Sequence, residues 1–340
     1  MSLEALHRAV QGEEVERHHA AALLRAFAAG EANNEQLAAF LTAMAIRGEK
    51  PQALLGIIDV LRKQYIPVDL EGVPALDIVG TGGDGQHTVN LSTSSAFVIS
   101  AAGVPVAKHG NHGVSSKAGS ADVLASLKVP YKLDPTGIAA MVKQIGLGFI
   151  YAPAHHPLFA KIGPVRRALG FRTAFNLLGP LVNPAQVKRQ VIGVPSIKTM
   201  HMLAEVLAEL GTEKSMVLHT PGPYDEVSLT APAKALLIEN GQITDLELSP
   251  KDFGAQTIQP EDIRGGDADA NAARIIAVFD GERSPLRDAI CANSACALMV
   301  AGRVANVREG YELAQDVIGQ GLAKKKLIEA QNFSPATVKA

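Results

Sequence analysis

The sequence contains no tryptophan and only two cysteines, and aromatic residues make up 4% of its 340 residues. Cys291 and Cys296 lie in an alanine-rich stretch, with no further cysteine or histidine beside them. A structural zinc site requires four ligands, so this spacing argues against one. Two cysteines are also too few for a fold that is held together by several disulfides. We therefore expect buried, reduced thiols and a cytoplasmic protein.

Long hydrophobic runs and an excess of positive charge are also missing. The longest apolar run, around residues 96–107, is interrupted by Ser100, Gly103 and Pro105, and is too short to span a bilayer. The first residues lack the basic region and apolar core of a secretory signal. With 32 basic and 34 acidic side chains, the formal net charge is -2. This balance argues against a general nucleic-acid-binding protein.

Hydrophobic residues make up 47% of the chain and charged residues 19%, which predicts a large folded core. Up to about residue 66 the apolar residues recur at helical spacing, as at Leu37, Leu41 and Met44, and Asn33 or Asn34 is expected to cap that helix. An extended linker at 66–69 follows. We expect a small helical domain over residues 1–67 and a large domain over residues 68–340.

From residue 75 onward, short apolar runs alternate with helical segments. Strands are expected at 75–79, 104–107, 148–151, 191–194 and 216–219, and Asn240-Gly241 is a hairpin signal. Three helices are expected near 267–280, 285–302 and 307–322. The alternation predicts an α/β fold, with a mainly parallel central sheet flanked by helices.

The loop after the first strand reads Gly80-Thr81-Gly82-Gly83-Asp84-Gly85, and a helix follows Asn90. Glycines allow a diphosphate to approach the backbone, and a helix start presents free N–H groups. Gly80, Gly82 and Gly85 also fit a dinucleotide fingerprint, but Lys108 occupies the region where that motif requires an acid. A tight structural turn is the other interpretation of these glycines.

A second polar segment runs from Lys108 to Ser116, and Ser120 opens the next helix. Lys108 offers a point charge to a phosphate, and Ser115, Ser116 and Ser120 offer donors beside a helix start. The alternative interpretation makes Ser120 a simple helix cap and the histidines at 109 and 112 ordinary loop residues.

The third segment, residues 219–226, ends in Asp225-Glu226 and again follows a predicted strand. Adjacent carboxylates on a loop suit two magnesium ions, or one ion and its waters. A solvated acidic pair on the surface is the alternative.

Together these segments resemble the anthranilate phosphoribosyltransferase family over essentially the whole chain. The matching motifs occur in order: GTGGD (80–84), NLST (90–93), KHGN (108–111), SSKAGSAD (115–122), APAHHP (152–157), VRRALGFRTAFNLLGPLVNP (165–184) and DE (225–226).

The resemblance implies a magnesium-dependent transfer of phosphoribose from phosphoribosyl diphosphate to the amine of anthranilate, in tryptophan biosynthesis. It implies a homodimer formed through the N-terminal helices, and a small domain that includes part of 157–183. The donor positions it implies are Gly80, Thr81, Gly82, Gly83, Asp84, Thr88, Asn90, Ser92, Thr93, Lys108 and Ser120. The implied anthranilate positions are Gly80, His109, Asn111, His156 and Arg166, and Ser92, Asp225 and Glu226 are the implied ligands of two Mg²⁺ ions per subunit.

The chain departs from the family pattern in two places. His112 stands where the family commonly has arginine after KHGN, which removes a permanent charge. In the acidic segment, Thr220, Gly222 and Pro223 replace the usual Gly, Asp and Gly, and a proline fixes φ and removes an N–H. We expect a changed loop shape there.

Two other functions compete with this one. A pyrimidine nucleoside phosphorylase shares the architecture of a small helical and a large α/β domain, but its phosphate-loop motif differs from this one. A non-catalytic relative that binds nucleic acid or a regulatory ligand would lose the acceptor residues and gain a basic face. This chain retains those residues and has a net charge of -2.

Overall fold

The computed structural model describes residues 3–83, 85–113 and 117–335. The chain begins with four helices: α1 (Glu4–Gln11), α2 (Arg17–Ala29), α3 (Asn34–Arg47) and α4 (Pro51–Gln64). Asn33 caps α3, as predicted, because its side chain accepts from the N–H of Gln36 while the Gln36 side chain accepts from the N–H of Asn33. Pro51 is the first residue of α4, where its missing N–H costs nothing.

The remaining chain forms a seven-stranded sheet and its covering helices. The strands are β1 (Leu76–Gly80), β2 (Val106–Gly110), β3 (Leu147–Tyr151), β4 (Arg189–Gly193), β5 (Lys214–His219), β6 (Ala233–Glu239) and β7 (Gln242–Leu248). Their order is β3-β2-β1-β4-β5-β6-β7, with β1 to β5 parallel and β6 and β7 antiparallel. The α/β class, the mainly parallel sheet and the hairpin at Asn240-Gly241 are confirmed.

Eleven helices of the described residues follow α4. They are α5 (Leu91–Ala101), α6 (Ser120–Ser126), α7 (Pro135–Ile145), α8 (Ala152–His155), α9 (Pro157–Leu169), α10 (Ile197–Glu209), α11 (Pro250–Phe253), α12 (Ala268–Phe279), α13 (Pro285–Val300), α14 (Val307–Gly319) and α15 (Leu322–Gln331). Three short 3₁₀ helices cover Ala174–Asn176, Gly179–Val182 and Pro260–Ile263. The last helix, α15, was not predicted. Cys291 and Cys296 are buried on α13 as free thiols, as expected.

Two large apolar clusters cover the sheet. One joins α5 to the C-terminal helices α12–α15, with Phe97 and Phe279 at its centre. The other joins α1–α4 to α9, to the 3₁₀ segments at 174–182 and to α10. Within the described residues, none of the helices combines the length and the apolar character needed to cross a membrane.

The second strand begins later than its sequence suggested. It was expected at 104–107, with Lys108 and His109 in the following loop, but β2 pairs with β3 over Val106–Gly110. Pro105 has no N–H to donate to the ladder, so the strand starts after it. Lys108 and His109 are therefore buried strand residues, with 1% and 3% of their surfaces exposed.

Candidate active site

The five parallel strands place their carboxyl ends along one edge of the sheet. These ends are Gly80, Gly110, Tyr151, Gly193 and His219. Ligands of parallel α/β sheets bind at this edge. The three segments singled out in the sequence all lie there, since they follow or end β1, β2 and β5.

The glycine loop after β1 contacts the acidic segment after β5. The backbone N–H of Gly82 donates to Asp225 Oδ2 at 2.7 Å. A Cβ atom at Gly80 would lie 2.2 Å from the same oxygen, so only glycine leaves room for the Asp225 carboxylate. The fold thus brings Gly80, Gly82 and Asp225 together, while Asp84 lies outside the described residues.

The helix after the glycine loop presents its N-terminus at this edge. The Asn90 side chain caps α5 by accepting from Thr93 N–H at 3.0 Å and from Ser92 Oγ at 3.2 Å. The buried hydroxyl oxygens of Thr81 and Thr93 have no hydrogen-bond partner among the described residues. Thr88 forms an isolated antiparallel bridge with Arg264. Two of the predicted donor positions, Thr81 in the loop and Thr93 in the first turn of α5, thus carry buried hydroxyls with no partner among the described residues.

Sequence reasoning missed two buried charged side chains on neighbouring strands, Asp77 on β1 and Lys108 on β2. Lys108 Nζ donates to the carbonyl of Ile78 at 2.7 Å. Asp77 accepts from His109 N–H at 3.2 Å and from Asn183 Nδ2 at 2.8 Å, and its side chain is fully buried. The only sequence signal was a single acid within the apolar run Leu76–Val79.

Burial moves the pKa values of this pair towards each other. Burial raises the pKa of Asp77 to about 6, against the attraction of the Lys108 ammonium. Burial lowers the pKa of Lys108 to about 8, against the carboxylates of Asp77 and Asp225. Both groups are mainly charged at neutral pH. Lys108 therefore carries a buried positive charge near the carboxyl end of β2.

Two histidines form a second buried pair. His109 Nδ1 lies 3.0 Å from the carbonyl of Gly179, and His109 Nε2 lies 3.2 Å from His156 Nε2. The carbonyl can only accept, so His109 donates through Nδ1 and accepts at Nε2 from His156. Burial lowers the pKa of His109 to about 3 and that of His156 to about 4. Both rings are therefore neutral at physiological pH.

Arg166 lies near the end of α9, the helix that begins directly after His156. Its side chain is half-buried, and burial lowers the pKa of its guanidinium. Within the described part of the chain its guanidinium has no hydrogen-bonding or ionic partner. Of the residues expected to bind anthranilate, His109 and His156 are in contact with each other. Helix α9, which begins after His156, carries Arg166. Asn111 is exposed at the end of β2.

The loop after β2 is organised around one carboxylate. Asp122 accepts from the N–H groups of Gly113 and Gly119 at 2.9 and 2.8 Å, and His112 Nδ1 lies 2.5 Å from its other oxygen. Ser120 and Lys108 line one cavity beside this loop. His112, which replaces the expected arginine, is thus paired within the loop. Ser115 and Ser116 lie outside the described residues.

The altered acidic segment is closed by its own hydrogen bonds. Thr220 Oγ1 donates to the carbonyl of Glu226 at 2.6 Å, and Thr220 N–H donates to the carbonyl of Tyr224 at 3.2 Å. Tyr224 is only 4% exposed, so it anchors the segment in the core. Thr220 thus fixes the backbone on both sides of Asp225, and the expected difference in loop shape from the family stays a prediction.

The oxygen donors here suit magnesium. Asp225 and Glu226 supply carboxylates, and Ser92 supplies a hydroxyl at the nearby helix start. Across the described residues no group of three His, Cys, Asp or Glu side chains is arranged to hold a metal by itself. Magnesium keeps several waters and binds through one or two carboxylates and substrate phosphates, so this sparse set fits it.

Comparison with known proteins matches both parts of the chain to one family. Residues 3–64 match the model described as "Glycosyl transferase family, helical bundle domain", and residues 72–324 match "Glycosyl transferase family, a/b domain". The fold and the sheet-edge site thus define a glycosyltransferase of the helical-bundle and α/β type.

More specific relatives share nearly the full length. An anthranilate phosphoribosyltransferase of Bradyrhizobium sp. (strain ORS 278) is 44% identical, over 94% of this chain and 96% of its own. The crystal structure of the anthranilate phosphoribosyltransferase from Thermus thermophilus has a TM-score of 0.89 at 37% identity, over 96% of this chain and 98% of its own. The chain belongs to the anthranilate phosphoribosyltransferase family.

A more distant structure shares the fold alone. The Saccharomyces cerevisiae anthranilate phosphoribosyltransferase in complex with PRPP and Mg has a TM-score of 0.88 at 24% identity, over 99% of this chain and 98% of its own.

Proposed function

We propose that this chain transfers the 5-phosphoribosyl group of phosphoribosyl diphosphate to the amine of anthranilate. The products are N-(5-phosphoribosyl)anthranilate and diphosphate, in tryptophan biosynthesis. The observation that carries the proposal is the contact between Gly82 N–H and Asp225, at the edge where Lys108 and the His109–His156 pair also lie. This arrangement supports a diphosphate site next to an aromatic-acid site.

The donor is held by backbone and by charge. The N–H groups of the glycine loop (80–83) and the start of α5 bind the diphosphate, with Thr81, Thr88, Asn90, Ser92 and Thr93 as further contacts. Lys108 and Ser120, which line one cavity, bind phosphate oxygens. Asp84 is the remaining donor residue that we propose.

The acceptor is held by Arg166 and the histidine pair, with Gly80 and Asn111 beside them. The guanidinium of Arg166 matches the planar carboxylate of anthranilate. Because both histidines are neutral, they offer hydrogen bonds and a flat surface without adding charge. The aryl amine of anthranilate is a weak base and is itself uncharged at neutral pH, so its lone pair is available to attack C1 of the ribose.

Ser92, Asp225 and Glu226 would hold the magnesium ions, which we propose to be two per subunit. When bound there, magnesium would neutralise the negative charge that develops on the departing diphosphate. The chain's own contribution is positioning and charge stabilisation, since the amine itself is the nucleophile. Lys108 and the loop N–H groups stabilise the leaving diphosphate as the bond from C1 to its oxygen breaks.

We further propose the division into a small domain, residues 1–67 with part of 157–183, and a large domain, residues 68–340. The apolar cluster that α1–α4 share with α9 and residues 174–182 supports it. A homodimer in the cytoplasm is part of the same proposal.

The test follows anthranilate fluorescence in purified protein with phosphoribosyl diphosphate and Mg²⁺, and repeats it with EDTA. We expect a loss of fluorescence that EDTA abolishes. Arg166→Gln is expected to raise the KM for anthranilate, whereas Arg167→Gln, an exposed neighbour on the same helix, leaves it unchanged. A folded protein that consumes no anthranilate contradicts the assignment.

A further inference from the structure

Arg172 reaches the glycine loop from a distant part of the chain. It follows Gly170, the residue that ends α9 in the left-handed conformation. Its Nη1 atom donates to the carbonyl of Gly82 at 2.9 Å, across 90 positions of sequence. The segment after the Arg166 helix is thereby hydrogen-bonded to the proposed diphosphate loop.

The guanidinium occupies the space that a side chain at position 83 would take. A Cβ atom on Gly83 would lie 1.4 Å from Arg172 Nη1 and 2.5 Å from its Cζ atom. Gly83 also has a φ of +77°, a conformation that favours glycine. The loop backbone and the guanidinium are therefore in direct contact.

Most of the donor capacity of Arg172 is unused by the described protein groups. A guanidinium carries five N–H donors, and the carbonyl of Gly82 takes one of them. No carboxylate of the described residues forms an ion pair with Arg172, whose side chain is exposed. The guanidinium of Arg172 thus presents a positive charge and free N–H donors beside the glycine loop, whose own N–H groups suit an anion.

We propose that Arg172 binds the diphosphate of phosphoribosyl diphosphate and links the acceptor helix α9 to the donor loop. The inference rests on the proposed function and adds a residue to its donor site. Arginine binds phosphate oxygens in a bidentate manner, and such charge-assisted bonds are stronger than neutral ones. Occupation of the loop by diphosphate therefore fixes the segment that follows Arg166.

The experiment compares Arg172→Gln, Arg172→Lys and the control Arg167→Gln, an exposed arginine of α9. Calorimetry measures the Kd of inorganic diphosphate with Mg²⁺, steady-state kinetics measure both KM values, and thermal unfolding checks the fold. For Arg172→Gln we expect diphosphate affinity to fall, and the KM for phosphoribosyl diphosphate to rise, by about tenfold or more, the loss expected for a charged hydrogen bond. The KM for anthranilate should change less than about twofold.

Arg172→Lys separates a role in diphosphate binding from a purely structural role in holding the glycine loop. A lysine keeps the charge and one bond to the carbonyl of Gly82 but loses the fork, so we expect an intermediate affinity. Arg167→Gln should match the wild type.

Two results overturn the proposal: unchanged diphosphate affinity in Arg172→Gln, or an equal rise in both KM values with a lower Tm. Diphosphate binding is measured without anthranilate, so its result does not depend on which acceptor the protein uses. A wild type that binds diphosphate through Arg172 but ignores anthranilate contradicts the proposed acceptor and supports this inference.

Discussion

At the scale of single residues, Asp77 and Lys108 are two buried charges whose pKa values are coupled beside the proposed donor site. Lys108 is almost completely buried, and the Asp77 carboxylate favours its ammonium form. With a pKa of about 8, Lys108 loses its proton as the pH rises through that value. We therefore expect the kcat/KM for phosphoribosyl diphosphate to decline on the alkaline side, since this quantity reports ionisations of the free enzyme.

Asp77→Asn is predicted to move this alkaline decline to lower pH. The substitution removes the carboxylate that raises the pKa of Lys108, while burial continues to lower it. The measurement is the pH profile of kcat/KM for the donor. Asp245→Asn, an exposed position on β7, is the control and should leave the profile in place. An unchanged profile, or a shift to higher pH, contradicts the coupling.

At the scale of elements, the segment between β5 and β6 is held by hydrogen bonds of its own residues. The family's flexible glycine at position 220 is a threonine here, and its hydroxyl donates to the Glu226 carbonyl at 2.6 Å. The hydrogen bond and the buried Tyr224 ring restrict the backbone that carries Asp225 and Glu226. A fixed backbone reduces the entropy lost when the two carboxylates bind a metal.

Thr220→Val should weaken metal binding while preserving side-chain size. Loss of the buried hydrogen bond is expected to lower the free energy of unfolding by about 1 kcal/mol and the affinity for divalent ions several-fold. Titration with Mn²⁺, followed by electron paramagnetic resonance in the presence of diphosphate, measures the second effect without catalysis.

Thr212→Val is the matched control for that change. Thr212 also donates from a buried hydroxyl to a backbone carbonyl, that of Lys188 at 2.8 Å, but it precedes β5 at the opposite edge of the sheet. It should lower stability and leave Mn²⁺ affinity unchanged. Equal Mn²⁺ affinity in Thr220→Val and the wild type would show that Thr220 does not position the acidic pair.

At the scale of the whole molecule, apolar side chains are exposed on the helical domain. Ile46 on α3 is 80% exposed and Val10 on α1 is 60% exposed, and α1 packs against α3. An exposed apolar patch on a folded protein commonly marks an interface. Val10 and Ile46 lie on helices through which the homodimer is proposed to form.

Ile46→Asp is predicted to separate the dimer, because it places a charge where an apolar contact forms. Light scattering after gel filtration should give roughly twice 35.7 kDa for the wild type and 35.7 kDa for the variant. Ile328→Asp, at an exposed position of α15 in the large domain, is the control and should remain dimeric. A wild-type mass of 35.7 kDa contradicts the proposal.

Local patterns predicted much of this protein because they depend on neighbours in sequence. The apolar spacing indicated the helices and strands, Asn33 marked a helix start, and the glycine loop and the Asp225–Glu226 pair marked the sheet edge. Strand boundaries were less secure, as β2 shows, because the pairing partner β3 decides where the ladder begins.

Contacts between distant residues came only from the tertiary structure. His109 and His156 are 47 positions apart, Asp77 and Asn183 are 106 apart, and Arg172 and Gly82 are 90 apart. The pKa values of Asp77, Lys108 and the histidines depend on burial by several elements, which no local pattern encodes. Sequence spacing thus sets the elements and the chemistry of each loop, whereas packing decides which side chains meet and which charges are buried.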